Sequence, residues 1–124
     1  MKKIAWFLLL LMVSFPLLGQ APDIKPDIKW NNQTEYAHYM TVFNEKDLVT
    51  KAAGAEKFLT DHKNADPMAR TNAYVMMFLS YANTSNWTKT VETFDRIHLA
   101  PQLTDQQKTQ FAQIASLARQ RLGK

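Results

Sequence analysis

The chain contains no cysteine among its 124 residues. That one absence removes disulfide staples, thiolate nucleophiles and cysteine-ligated metal centres together. Only three glycines occur, too few for a glycine-rich loop that cradles phosphate. Histidine is equally scarce, at three residues, which leaves little material for acid–base or metal chemistry. Neither charge sign dominates, since 15 basic residues face 11 acidic ones for a formal +4. No Lys/Arg run interleaves with aromatics, so nucleic acid is not an expected partner. The alternating pattern of a half-buried strand is missing from everything after residue 19.

One long apolar run is present. Ile4 to Leu18, interrupted only by Ser14 and Pro16, follows Lys2-Lys3 and leads into Gly19. This is the composition of a secretory leader, with cleavage expected between Gly19 and Gln20. The run is short for a span of ~20 residues and carries Pro16, which disfavours a retained membrane anchor. No cysteine follows it, so a lipidated N-terminus is excluded. The expected organisation is a signal peptide at 1–19, an extended linker at 20–32 and a helical domain at 33–124. Within the linker, Pro22-Asp23-Ile24-Lys25 repeats as Pro26-Asp27-Ile28-Lys29, and its two prolines block a helix. Removing Lys2 and Lys3 leaves 13 basic against 11 acidic residues in a 105-residue exported chain. A domain of that size buries about 60–70% of its unfolded surface and needs most of its aromatics inside.

The rest of the chain reads as helices with their caps spelled out. Asn32 with Glu35, Asp47, Asp66-Pro67, Asn86, and Thr104 with Gln107 are five N-terminal signals. Apolar stripes follow each of them at i, i+3, i+4, i+7. They are Tyr36, Tyr39, Met40, Phe43; then Leu48, Ala52, Ala55, Phe58, Leu59, His62; then Tyr74, Met77, Phe78, Tyr81. The fourth is Trp87, Val91, Phe94, His98, and the fifth is Phe111, Ile114, Ala115, Ala118, Leu122, closed by Gly123. Breaks fall at Asn44, Lys63-Asn64, Asn83 to Asn86 and Pro101. Ala52-Ala53-Gly54-Ala55 places small residues in mid-helix, where Gly54 costs about 1 kcal/mol against alanine and so implies a close neighbour. Short turns between amphipathic helices make them pair antiparallel, and the fifth helix, greasy on one side only, covers the end of the core.

The two halves match each other. Tyr36-x6-Phe43 aligns with Tyr74-x6-Tyr81 at an offset of 38, and Glu56-x-Phe58 and His62 align with Glu92-x-Phe94 and His98 at 36. Self-similarity at this period signals stacked helical hairpins. On Tyr74, Met77, Tyr81, Trp87, Phe94 and Pro101 the chain resembles the tetratricopeptide repeat family across about residues 33–101. Phe78 and Thr90 stand where that family places its small Gly and Ala. The resemblance implies an all-α fold of antiparallel hairpins, a short α-solenoid of about five helices. It also implies that Asn72, Val75, Leu79 and Asn83, on another side of the first helix of a hairpin, line a groove for a partner protein or peptide; packing of Val75 and Leu79 on the neighbouring hairpin is the equal alternative.

Chemistry is sparse. Glu35-x-x-His38 and Asp95-x-x-His98 pair a carboxylate with an imidazole at i, i+3, as di-iron bundles do. Helical geometry turns His38 away from its stripe toward solvent, and only His98 faces inward, so no metal or other cofactor is expected. No Ser/His/Asp grouping emerges either. The expected function is a non-enzymatic, exported protein–protein interaction or assembly module, touching membrane only through its leader. Two hairpins fall short of the three repeats that seal a solenoid, so self-association is a further expectation. A metal-binding helical bundle and a membrane-anchored accessory protein are the alternatives.

Overall fold

The computed structural model describes residues 28–123. The expected leader at 1–19 and the expected linker up to residue 27 lie outside the described residues. Within them the protein is all-helical, with α1 at Gln33–Asn44, α2 at Leu48–Asp61, α3 at Pro67–Asn83, α4 at Trp87–Ile97 and α5 at Asp105–Leu122. Each helix packs on its chain neighbour, so the architecture is a run of helical hairpins with α3 at its centre. No helix among the described residues is long and apolar enough to cross a membrane.

The caps explain the helix starts. Asn32 accepts from the Glu35 N–H at 2.8 Å and Asp47 from the Thr50 N–H at 2.9 Å. Asp66 accepts from the Met68 N–H at 2.9 Å, with Pro67 in the first turn where no N–H is needed. Asn86 opens α4, and Thr104 and Gln107 close a full capping box on α5 at 3.0 and 2.9 Å. The pairing at α1 is only half a box. Glu35 reaches past Asn32 and accepts instead from the backbone and side-chain N–H groups of Asn31, both at 3.0 Å. At the other end of α3 the Asn86 N–H reaches Tyr81 O and the Ser85 N–H reaches Ala82 O. This Schellman arrangement puts Ser85 at φ 59°, a left-handed position usually given to glycine.

Residues 28–32 are part of the domain, not of the linker. Ile28 is buried in the core. Trp30 lies 5.3 Å from the Tyr36 ring and 5.0 Å from the Tyr39 ring. The Lys29 N–H donates to the free oxygen of the Asp66 cap, and the Asn31 amide donates to Asn64 O. The segment is thus a strap across the α2–α3 turn, with its two apolar side chains turned inward.

Two apolar clusters share α3. Tyr39, Val42, Ala52, Ala55, Phe58 and Leu59 meet Ala69, Ala73, Met76 and Met77 on one side. On the other side Val75, Phe78, Leu79 and Ala82 meet Ile97, Leu103, Phe111 and Ile114. Phe78 is fully buried, 5.1 Å from the Phe111 ring and 6.2 Å from the Phe94 ring. The small-residue run on α2 does admit a neighbour, since a β-carbon on Gly54 would sit 3.2 Å from Val42 Cγ2.

Two stripes are rotated from their expected positions. On α1, Val42 is buried while Tyr36 stays 40% exposed. On α4 the buried residues are Thr90, Thr93 and Ile97, flanked by half-buried Trp87, Val91 and Phe94, and His98 is exposed. The two threonine hydroxyls donate to Asn86 O and Lys89 O, one turn back, at 2.8 and 2.7 Å. Their methyls can then pack as alanine would.

Candidate functional site

The four residues expected to line a groove do not form one. Asn72 is buried, and its amide donates to the Tyr39 hydroxyl at 3.2 Å. Val75 and Leu79 are core residues of the second cluster, 6% and 5% exposed. Asn83 is half-buried with its amide on Leu79 O at 3.0 Å, closing the end of its own helix. The physical reason is α5. Phe111 and Ile114 occupy the cluster that Val75 and Leu79 enter, so the face that would stay open in a longer array is covered here.

The concave surface lies on the opposite side of α3. Helices α2 and α4 both pack on α3 and stand apart from each other, leaving a groove of about 540 Å³ between them. Tyr74, Met77 and Tyr81 of α3 form its floor. These are three of the four residues read from the sequence as core, and the two tyrosines are half-buried rather than enclosed. An aromatic body set against apolar neighbours with a hydroxyl toward water is the arrangement tyrosine favours at binding surfaces. Glu56, Leu59 and Thr60 of α2 and Lys89, Glu92, Thr93 and Arg96 of α4 make the walls, with Lys63 and Arg70 closing one end.

Charge in this groove is mixed but tilts positive, with four cationic side chains against two carboxylates. Not all of them are free to receive a ligand. The Arg70 guanidinium donates to Leu59 O and His62 O, both at 3.0 Å, and so finishes the C-terminus of α2. Lys89 lies 3.8 Å from Glu92 on the same helix. Lys63 and Arg96 are exposed and pair with no carboxylate among the described residues. Burial, then the nearby Glu56 and Glu92 carboxylates, push the Tyr81 hydroxyl above its usual range. It therefore stays protonated and available as a donor at any physiological pH.

The sequence signal for this site was present but ambiguous. A Tyr74/Met77/Tyr81 stripe fits a core and a groove floor equally well by spacing. The tyrosine hydroxyls, which resist full burial without a partner, are the feature that separates the two. The basic rim comes from three separate elements, and spacing along one helix cannot reveal it.

The histidines are redistributed as well. His38, expected in solvent, packs edge-on against Phe58 at 5.4 Å between ring centroids. Its Nδ1 lies 3.1 Å from Nε2 of His62. Burial, then the adjacent His62, lowers its pKa from the ordinary imidazole value. His98, expected inward, is exposed, its ring stacked on Phe94 at 5.3 Å between centroids and its Nδ1 3.2 Å from the Phe94 carbonyl. Among the described residues no three His, Cys, Asp or Glu side chains gather into a metal-holding group. Compared with protein-family models, curated proteins and solved structures, the chain matches none of them.

Proposed function

We propose that the chain is an exported, non-enzymatic interaction module related in design to tetratricopeptide hairpins, which seats a segment of a partner protein in the groove between α2 and α4. The observation that carries this reading is the floor of Tyr74, Met77 and Tyr81, whose aromatic surface is left half-open by otherwise close-packed helices. Lys63 and Arg96 at the rim suit a segment bearing carboxylates as well as an apolar side chain. The pairing of α1 with α2 and of α3 with α4 supports the two-hairpin organisation, with α5 as the covering helix. Export rests on the leader sequence alone.

The test uses residues that the fold does not need. The chain and its Lys63→Glu/Arg96→Glu variant are immobilised and exposed to envelope extract. A protein retained by the first and reduced at least tenfold on the second supports the groove. Equal retention by both, with identical circular dichroism, refutes it. Substitutions at Val75 or Leu79 would report on folding rather than on binding.

A further inference from the structure

The strap continues upstream in a sequence whose pattern matches the groove. Within the strap, Ile28 is buried and Trp30 half-buried, while Lys29 and Asn31 are exposed. The same two-residue alternation runs back toward the start of the chain. Pro26, Ile24 and Pro22 fall on one side of an extended chain, and Asp27, Lys25 and Asp23 on the other. Two prolines, and the bias each places on the residue before it, favour that extended form.

The strap also leads to the right place. The Lys29 N–H is bonded to Asp66, the cap of α3, at 3.1 Å. Chain preceding Ile28 therefore sets out from the first turn of α3, the end of the groove closed by Lys63 and Arg70. Helix α4 runs antiparallel to α3, so Arg96 of its last turn belongs to this end and Lys89 of its first turn to the Tyr81 end. Arg96, Glu92 and Lys89 share one helix face and line one wall. They present plus, minus and plus at intervals of about 6 and 4.5 Å. Asp27, Lys25 and Asp23 present minus, plus and minus at intervals of about 6.6 Å. The Lys89–Glu92 pair, exposed and 3.8 Å apart, is weak enough to yield to such a partner. On the floor, Tyr74 and Tyr81 are about 10.5 Å apart along α3, and Pro22 and Pro26 are about 13 Å apart in an extended chain. Aromatic-lined grooves hold proline-rich segments by this kind of contact.

We infer that residues 22–27 of the same chain lie in the groove between α2 and α4, with Pro26 toward Tyr74, Pro22 toward Tyr81, Ile24 between them and Asp27 against Lys63 and Arg96. With the groove taken as the partner site proposed above, this segment is its internal occupant, which an outside segment has to displace. Tethering sets the magnitude. A segment anchored at the groove's own end meets it at a local concentration on the order of mM, so a contact of only millimolar intrinsic affinity is already about half formed. An outside segment then binds with its affinity reduced in proportion to the fraction of grooves left open.

The experiment is a nuclear Overhauser measurement on the expected mature chain, residues 20–124, with isotope-labelled methyl groups and aromatic rings. Cross-peaks are expected from the Ile24 methyls to the Tyr74 and Tyr81 rings and to the Met77 methyl. A mixture of labelled and unlabelled chains, read for contacts between chains only, should be blank. Lys63→Glu/Arg96→Glu should weaken the cross-peaks by about fivefold or more, and adding Asp27→Lys should restore them. All three positions are exposed or lie outside the helices, and the first spectrum needs no variant. Absence of the cross-peaks from the unaltered chain overturns the inference. So do cross-peaks between chains, which would make the occupant a second copy, and cross-peaks that survive the double charge reversal. No extract is involved, so the two readings fail separately. Cross-peaks without any retained protein would remove the partner and leave the internal segment in place, and retention without cross-peaks would do the reverse.

Discussion

Truncating Leu79 to alanine distinguishes a core position from a groove position on one number. Leu79 is 5% exposed and packs among Val75, Phe78, Ile97 and Phe111. Transferring its side chain out of water contributes about 1.5–3 kcal/mol. The void left beside a close-packed Phe78 adds a cavity term, bringing the expected loss to about 2–5 kcal/mol. A domain of this length is stable by roughly 5–14 kcal/mol, so the variant should fold with a much reduced margin. Guanidinium unfolding followed by circular dichroism at 222 nm should show a lower midpoint with an unchanged slope. Val49→Ala, at a residue 67% exposed, is the control and should stay within about 0.5 kcal/mol of the parent. A Leu79→Ala loss as small as that of the control would refute the placement of α5 over this face.

Four further outcomes follow from the geometry. Gly54→Ala should change stability by less than about 0.5 kcal/mol, because its helix-propensity gain is spent against the Val42 methyl at 3.2 Å. In a Val42→Ala background the same change should stabilise by about 1 kcal/mol, and equal gains in both backgrounds would show that the contact does not constrain the helices. Ser85→Gly should stabilise by roughly 1 kcal/mol by relieving the left-handed backbone at φ 59°, and a loss in thermal midpoint would contradict that turn. Tyr39→Phe should cost about 1–3 kcal/mol, since the Asn72 amide is left buried without its acceptor, and a neutral result would place water there. His38 holds a lowered pKa through burial first and His62 second, so the folded state resists a proton that the unfolded chain accepts near 6.5. Its contribution is complete above that pH and is lost as the pH falls through the unfolded and then the folded value. Urea midpoints measured from pH 7.5 down to 5.5 should decline, and the decline should be shallower in His38→Gln.

Most of the fold was legible because its ends are written locally. Asn32, Asp47, Asp66, Asn86 and Thr104 each cap the helix expected of them, and an N-cap needs only the next three residues to act. The hairpin pairing followed from short turns. Faces were harder. Val75, Met76, Met77, Phe78 and Leu79 run consecutively on α3, so apolar residues occur all round the helix and no period selects a side. On α4 the inward positions Thr90 and Thr93 count as polar in any periodicity, although their hydroxyls are satisfied within the helix. The strap was missed because Pro22 and Pro26 just before it suggest a spacer, while the informative feature is the alternation of Ile28 and Trp30 with Lys29 and Asn31. His38 and His62 are 24 residues apart, and only the docking of α1 on α2 brings them together.

Helix α3 lends one flank to each half of the molecule, and that dual membership reaches beyond packing. Severing the chain at the 84–86 turn would bare Val75, Phe78 and Leu79, and severing it at 62–66 would leave Phe58 with no lid. Either cut leaves one apolar cluster whole and strips the other flank of α3 of its cover. Melting should accordingly proceed in one step by every probe, and damage anywhere along this rod should be felt at both extremities.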